Sequence, residues 1–329
     1  MPDGSAISRQ KAVQLPLDRH VEIAAGKSIP QLFAEITTCQ ASGESVLERK
    51  TARNMQTGVK APMSLPTSTA EPEYLDVGNG SESRRIAMRI LPAAEGSPLP
   101  AFVWLGGYRS DMAGTKAVEL ERHAEKTGAA CIRFDYSGHG VSGGDFTDGT
   151  ISRWLEESLA VIGHADPKRM VLIGSSMGGW IALRLIAELR ARGEGSRIAG
   201  LVLIAPAPDF TSELIEPNLT DGERASLAAR GYFEEPTPYG PDPNIYTARL
   251  IEDGRVNRVL QGVIETGCPV HILQGMLDPD VPYGHALKLM EHLPSDDVVM
   301  TLIRDGDHRL SRPEDIERML AAVDGMIAG

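Results

Sequence analysis

An α/β fold built on a mostly parallel sheet is what this sequence predicts, and three observations predict it. From residue 73 onward, short apolar runs alternate with stretches of helical periodicity. The inner runs, such as 170–173 and 201–205, are almost continuously apolar, as strands covered on both faces must be. Several of these runs end in glycine clusters, where a strand hands over to a loop or helix.

Taken in order, residues 1–72 form an N-terminal extension, expected to be poorly ordered. Its one helix-like stretch lies near 29–37, and Ser, Thr, Ala and Pro crowd 61–72. The start has no apolar core of a secretory signal, and Asp3, Asp18, Glu22, Glu35, Glu44 and Glu48 are unusual for an acid-poor transit peptide. Strands are expected at 74–77, 85–91, 101–105, 130–134, 170–173, 201–205, 270–273 and 298–303. Helices fit 114–127, 151–163, 177–192, 284–292 and 313–327, the last opened by Pro313 after Ser311. Between two of the strands, about 206–266 breaks the alternation, with a helical stretch at 221–230. An insertion of that length is normally a lid over a site. It carries eleven acidic and five basic side chains, which predicts an acidic rim unfavourable to polyanionic leaving groups.

The apolar run at 170–173 breaks into Gly174-Ser175-Ser176-Met177-Gly178 and resumes as a helical pattern. This is G-x-S-x-G in its required setting of strand, tight turn and helix. A serine in so sharp a turn needs small residues two before and two after it, and its hydroxyl then stands clear of the sheet. The helix start aims free N–H groups at developing negative charge.

An acid and a base follow in order. Asp278 stands three residues past Gly275, with Val281-Pro282 closing the loop, and is preferred to Asp280. His308 follows the 298–303 strand, after Gly306. The order Ser, Asp, His is that of α/β-hydrolases and differs from those of chymotrypsin and subtilisin. His139, in the glycine-rich turn Asp135-Tyr136-Ser137-Gly138-His139-Gly140, is the rival base. An oxyanion hole needs two backbone donors: Met177, after the nucleophile, and Tyr108 from the Gly106-Gly107-Tyr108 loop, with Gly107 as the fallback.

Other classes are disfavoured. A formal charge of −12 makes nucleic acid an improbable partner, and no apolar run reaches the roughly 18–20 residues of a membrane span. Cys39, Cys131 and Cys268 form no disulfide framework or zinc spacing, which fits a reducing compartment. No metal or cofactor is expected. Gly138-His139-Gly140-Val141-Ser142-Gly143 matches G-x-G-x-x-G but opens no helix, so a nucleotide site is not expected either. The cytoplasm is the expected location, or the mitochondrion if the extension acts as a transit peptide.

From about residue 73 to the end, the chain resembles the α/β-hydrolase superfamily. More narrowly, it resembles the mitochondrial palmitoyl-protein thioesterase and acyl-glucuronide esterase type and its bacterial relatives. The likeness rests on Gly107-Tyr108, Met112-Ala113-Gly114-Thr115-Lys116-Ala117, Cys131-Ile132-Arg133-Phe134-Asp135-Tyr136-Ser137-Gly138, Gly174-Ser175-Ser176-Met177-Gly178-Gly179-Trp180 and Asp307-His308-Arg309. It implies an α/β-hydrolase fold for 73–329, with an eight-stranded mostly parallel sheet, helices on both faces and a helical cap. It also implies an ester or thioester hydrolase, with acyl glucuronide cleavage in the family's range, and carries Ser176, Asp278 and His308 over as the triad. The extension has no counterpart, and the cap matches only loosely. A serine peptidase or amidase on the same fold, and a non-catalytic binding protein, are the alternatives.

Overall fold

Residues 21–24, 71–293 and 297–327 are described by the computed structural model. The expected helix near 29–37 and Cys39 lie outside them. One sheet is formed by β1 (Val21–Ala24), β2 (Glu73–Val77), β3 (Arg84–Leu91), β4 (Ala101–Leu105), β5 (Cys131–Phe134), β6 (Met170–Ser175), β7 (Ile198–Ile204), β10 (Val270–Gly275) and β11 (Val298–Ile303). Its order is β1-β11-β10-β7-β6-β4-β5-β3-β2. Pairings from β5 through β4, β6, β7 and β10 to β11 are parallel. The outer pairings of β2, β3 and β1 are antiparallel. All eight expected strands are present. The ninth, β1, extends the edge, with Val21 opposite Leu302 and Ala24 opposite Val299. It comes from the extension, and four residues are too few to show a period in the sequence.

Both faces of the sheet are covered, which is why the inner strands read as unbroken apolar runs. Alternate residues of β6 feed two cores. Val171 and Ile173 join Phe102, Leu120 and Met319 under α1 (Thr115–Thr127) and α7 (Pro313–Gly325). Met170 and Leu172 join Trp154, Ile181 and Leu289 under α2 (Ile151–Ala165), α3 (Met177–Ala191) and α6 (Tyr283–His292). From β4 the chain moves outward to β5, then crosses back to place β6 on the other side of β4. Such a reversal opens a crevice at the carboxyl ends of the strands, where ligands bind in open α/β sheets.

The insertion between β7 and β10 holds a π-helical turn (Thr211–Ile215), α4 (Asp221–Arg230) and α5 (Ala248–Val256). It also holds a hairpin of β8 (Tyr232–Glu235) and β9 (Asn244–Thr247), so the cap expected to be helical is mixed. The hairpin is held by cross-strand aromatic pairing of Phe233 with Tyr246, their ring centres 5.2 Å apart. α4 is closed by a capping box between Thr220 and Glu223.

Candidate active site

Ser176 occupies the turn between β6 and α3 with φ 53° and ψ −118°, a left-handed backbone that is costly for a non-glycine residue. Close packing holds it there. Its N–H donates to the Ile204 carbonyl at 2.9 Å, and its carbonyl accepts from Gly179 at 2.9 Å and Ala207 at 3.1 Å. A β-carbon at Gly174 would stand 2.5 Å from the Gly178 carbonyl oxygen, and one at Gly178 would stand 2.0 Å from that of Leu105. Neither site tolerates a side chain, which is the physical content of the G-x-S-x-G spacing.

The loops after β10 and β11 are tied to one another. Met276 N–H donates to Ile303 at 2.8 Å and Leu277 N–H to Gly306 at 3.0 Å. This pairing brings Asp278 and His308 together although thirty positions separate them. His308 Nδ1 lies 2.8 Å from Asp278 Oδ2, and His308 Nε2 lies 3.1 Å from Ser176 Oγ. A carboxylate only accepts, so Nδ1 carries the hydrogen and Nε2 presents its lone pair to the serine hydroxyl. The other carboxylate oxygen of Asp278 accepts from Asp280 N–H at 2.9 Å and Val281 N–H at 2.8 Å. Gln274, fully buried at the end of β10, donates to Asp278 Oδ2 at 3.2 Å. The sequence reading passed over Gln274; the signal was a polar residue directly after the apolar 270–273 run.

Asp280 does not touch His308 within hydrogen-bond reach; its Oδ2 accepts from the Tyr239 hydroxyl at 2.7 Å. Ligand atoms of Asp278, Asp280 and His308 do lie within 4.8 Å of one another. Asp278 and His308 are already joined through a proton, which a cation would have to displace.

The β4–α1 loop carries Gly107 and Tyr108 against the elbow. A β-carbon on Gly107 would sit 3.3 Å from Ser176 Cβ. The Tyr108 hydroxyl donates to the Ile245 carbonyl of the cap, and its ring stacks on Tyr246 with centres 5.4 Å apart. Met177 is the first residue of α3, where backbone N–H groups have no acceptor within the helix.

His139, the rival base, is enclosed by Tyr136, Phe146 and Trp154. Its Nδ1 faces the Ser137 carbonyl at 3.1 Å, and its Nε2 accepts from Arg109 N–H at 3.1 Å. Burial pushes its pKa down to about 4 from the ordinary 6.5. Between those values the unfolded chain binds the extra proton and the folded chain does not. Stability is therefore full above pH 6.5 and lost as pH falls towards 4, by about 3 kcal/mol in all. In thermal melts from pH 7 to 4, His139→Gln should lose less melting temperature than the wild type; equal slopes would contradict a buried neutral imidazole.

Two cavities meet at Ser176, Tyr108, Tyr239 and His308. One, of about 380 Å³, is lined by Met177, Phe210, Leu214, Ile215, Tyr246 and Val281 among others. The other, of about 500 Å³, presents Arg109, Lys116 and Arg309 together with Asp111 and Asp242. Cap acids are present at both: Asp242 lines this cavity beside the three basic side chains, and Glu235 lines the first. Several cap acids are spent in ion pairs: Glu213 with Lys288 at 2.6 Å and Arg258 at 3.0 Å, and Glu216 with Arg255. That Tyr239, Arg109, Lys116 and Arg309 share one wall was not visible in the sequence, because tertiary packing brings these distant positions together.

The comparisons with known proteins agree with this architecture. Residues 93–319 match the Alpha/beta hydrolase family. The palmitoyl-protein thioesterase ABHD10, mitochondrial, of Mus musculus is 32% identical over 252 residues, covering 76% of this chain and 81% of that protein. A crystal structure of a putative hydrolase from Agrobacterium vitis S4 superposes with TM-score 0.76 at 64% identity, covering 78% of this chain and 98% of that one. The solved alpha/beta hydrolase domain-containing protein 10 from mouse gives TM-score 0.67 at 29% identity, over 79% of this chain and 99% of its own. The chain belongs to the alpha/beta hydrolase family.

Proposed function

We propose that the protein is a serine hydrolase that cleaves carboxylic ester or thioester bonds through an acyl-enzyme. The observation that carries this reading is the unbroken line of hydrogen bonds from Asp278 through His308 to Ser176, at the mouth of two cavities. In this reading His308 Nε2 takes the hydroxyl proton as Ser176 Oγ attacks the acyl carbonyl. Asp278 keeps the imidazole in the productive tautomer and stabilises its cationic form. The N–H groups of Met177 and Tyr108 receive the oxyanion. His308 then returns its proton to the departing alcohol or thiol. Water, activated by the same imidazole, releases the acid and frees Ser176. Inclusion of thioesters is supported by the mouse relative, a palmitoyl-protein thioesterase.

The cavity beside Phe210, Leu214 and Ile215 takes the acyl chain, and the one beside Arg109, Lys116 and Arg309 takes the leaving group. Each buried methylene contributes about 0.8 kcal/mol, close to fourfold in binding. A panel of aryl esters, thioesters and anilides of graded acyl length, with acyl-coenzyme A for comparison, tests this. kcat/KM should rise by about fourfold per methylene until the cavity is filled, with esters and thioesters ahead of anilides. Fastest turnover of anilides would make the protein an amidase. No turnover of any substrate would favour a binding protein.

Among the comparisons, it is the names of the mammalian relatives that bear on location, and they read mitochondrial. They favour the mitochondrial alternative over the cytoplasm. No helix among the described residues is long and apolar enough to cross a membrane.

A further inference from the structure

His139 has both ring nitrogens engaged, and one of them holds the loop that carries Tyr108. Two peptide planes flank Tyr108, and each is pinned on one side. The Gly107 carbonyl accepts from Ser110 N–H at 3.1 Å and from Ser110 Oγ at 2.9 Å. In a trans peptide the C=O and N–H point opposite ways, so the Tyr108 N–H is turned away from Ser110. The next plane is held by Arg109 N–H donating to His139 Nε2 at 3.1 Å. With both planes fixed, the backbone of Tyr108 has no free rotation.

Arg109 needs that support. Its φ is 58°, in the left-handed region, which costs a non-glycine residue of order 1–3 kcal/mol and persists only where neighbours hold it. Without an acceptor at His139, relaxation of Arg109 to negative φ would turn the peptide that it shares with Tyr108.

We propose that His139 is a positioning residue for oxyanion binding: its Nε2 lone pair holds the Arg109 amide and thereby fixes the Tyr108 N–H beside Ser176. The proposal rests on the serine hydrolase reading given above. The ring's second bond suits this role. The Ser137 carbonyl can only accept, so the hydrogen stays on Nδ1 and Nε2 stays an acceptor. Burial against Tyr136, Phe146 and Trp154 keeps the imidazole neutral through the pH range where a histidine base works.

The test compares a carbonyl ester with its matched thionoester, in which C=S replaces C=O. Sulfur is a weak acceptor, so the thiono compound draws little help from an oxyanion hole, and the ratio of the two kcat values reports on the hole itself. His139→Asn keeps a donor for Ser137 but does not reach Arg109; His139→Gln carries an acceptor to about the place of Nε2. Removing a whole oxyanion donor typically costs about 10²–10³ in kcat, and misplacing one costs a share of that. For the Asn variant, a fall of about 10–100-fold in carbonyl-ester kcat is expected, with KM little changed and the carbonyl-to-thiono ratio at least about tenfold lower. The Gln variant should restore the ratio to within about threefold of wild type.

Equal losses on both substrates, or an unchanged ratio in a folded Asn variant, would overturn the proposal, since a merely structural role lowers both rates together. A Gln variant no better than Asn would also overturn it. Should the Asn variant not fold, His139→Phe, which keeps the ring packing, carries the same expectation. Ser176→Ala on the same substrates separates the two ideas. If ester cleavage does not depend on Ser176, the hydrolase reading fails; if it does and the ratio ignores His139, only this proposal fails.

Discussion

Ser176→Ala is expected to lower kcat for ester cleavage by roughly 10³–10⁶ while leaving the melting temperature almost unchanged. Only one hydroxyl is removed, the one that meets His308 Nε2 at 3.1 Å. The turn itself is held by backbone bonds from Ser176 to Ile204, Gly179 and Ala207, which alanine keeps. The loss thus falls on chemistry and not on the fold. Steady-state rates with an activated aryl ester, beside a thermal melt, check it. A variant with a tenth of wild-type kcat would remove Ser176 from the nucleophile's place.

Asp278→Asn should cost about 10⁴ in kcat, again with the fold intact. The reason lies in the two carboxylate oxygens of Asp278. One accepts from the backbone N–H groups of Asp280 and Val281 at 2.9 and 2.8 Å. An asparagine satisfies both only by placing its amide oxygen there, which turns its NH2 group towards His308 Nδ1. That nitrogen must then accept, the ring hydrogen moves to Nε2, and Nε2 no longer takes the serine proton. A variant within tenfold of wild-type kcat would mean that the tautomer is set by something other than Asp278.

Much of this site was legible because each of its residues stands where an apolar run stops. Ser176 follows β6, Asp278 follows β10 and His308 follows β11, each marked by a glycine, and glycine is read reliably as punctuation. The six inner strands β4, β5, β6, β7, β10 and β11 were visible for a related reason, since burial on both faces leaves apolar runs. What escaped depends on tertiary neighbours. β8 and β9 are four residues each, and their partner is a hairpin mate across eight proline-rich positions. α5 has the sequence ARLIEDGRV, whose polar residues read as loop; it is a helix because Leu250 and Ile251 bury and Thr247 caps it. The excess of acids in the cap suggested a field at the entrance, and one of them, Glu213, pairs with Lys288 from outside the cap. His139 stood as the rival to His308 by its place after β5. Its ring faces the amide of Arg109, an orientation set by packing against Phe146 and Trp154 and by the Ser137 carbonyl.

The central claim is that an acyl group passes through a covalent bond to Ser176. Rapid acid quench during turnover of a slowly deacylating aryl ester, followed by intact-mass and peptide mass measurement, tests it most directly. The account predicts a mass increase of one acyl group on the peptide that holds Ser176, formed in a burst stoichiometric with enzyme and absent from Ser176→Ala. Turnover with no adduct, or an adduct on any other side chain, would contradict it.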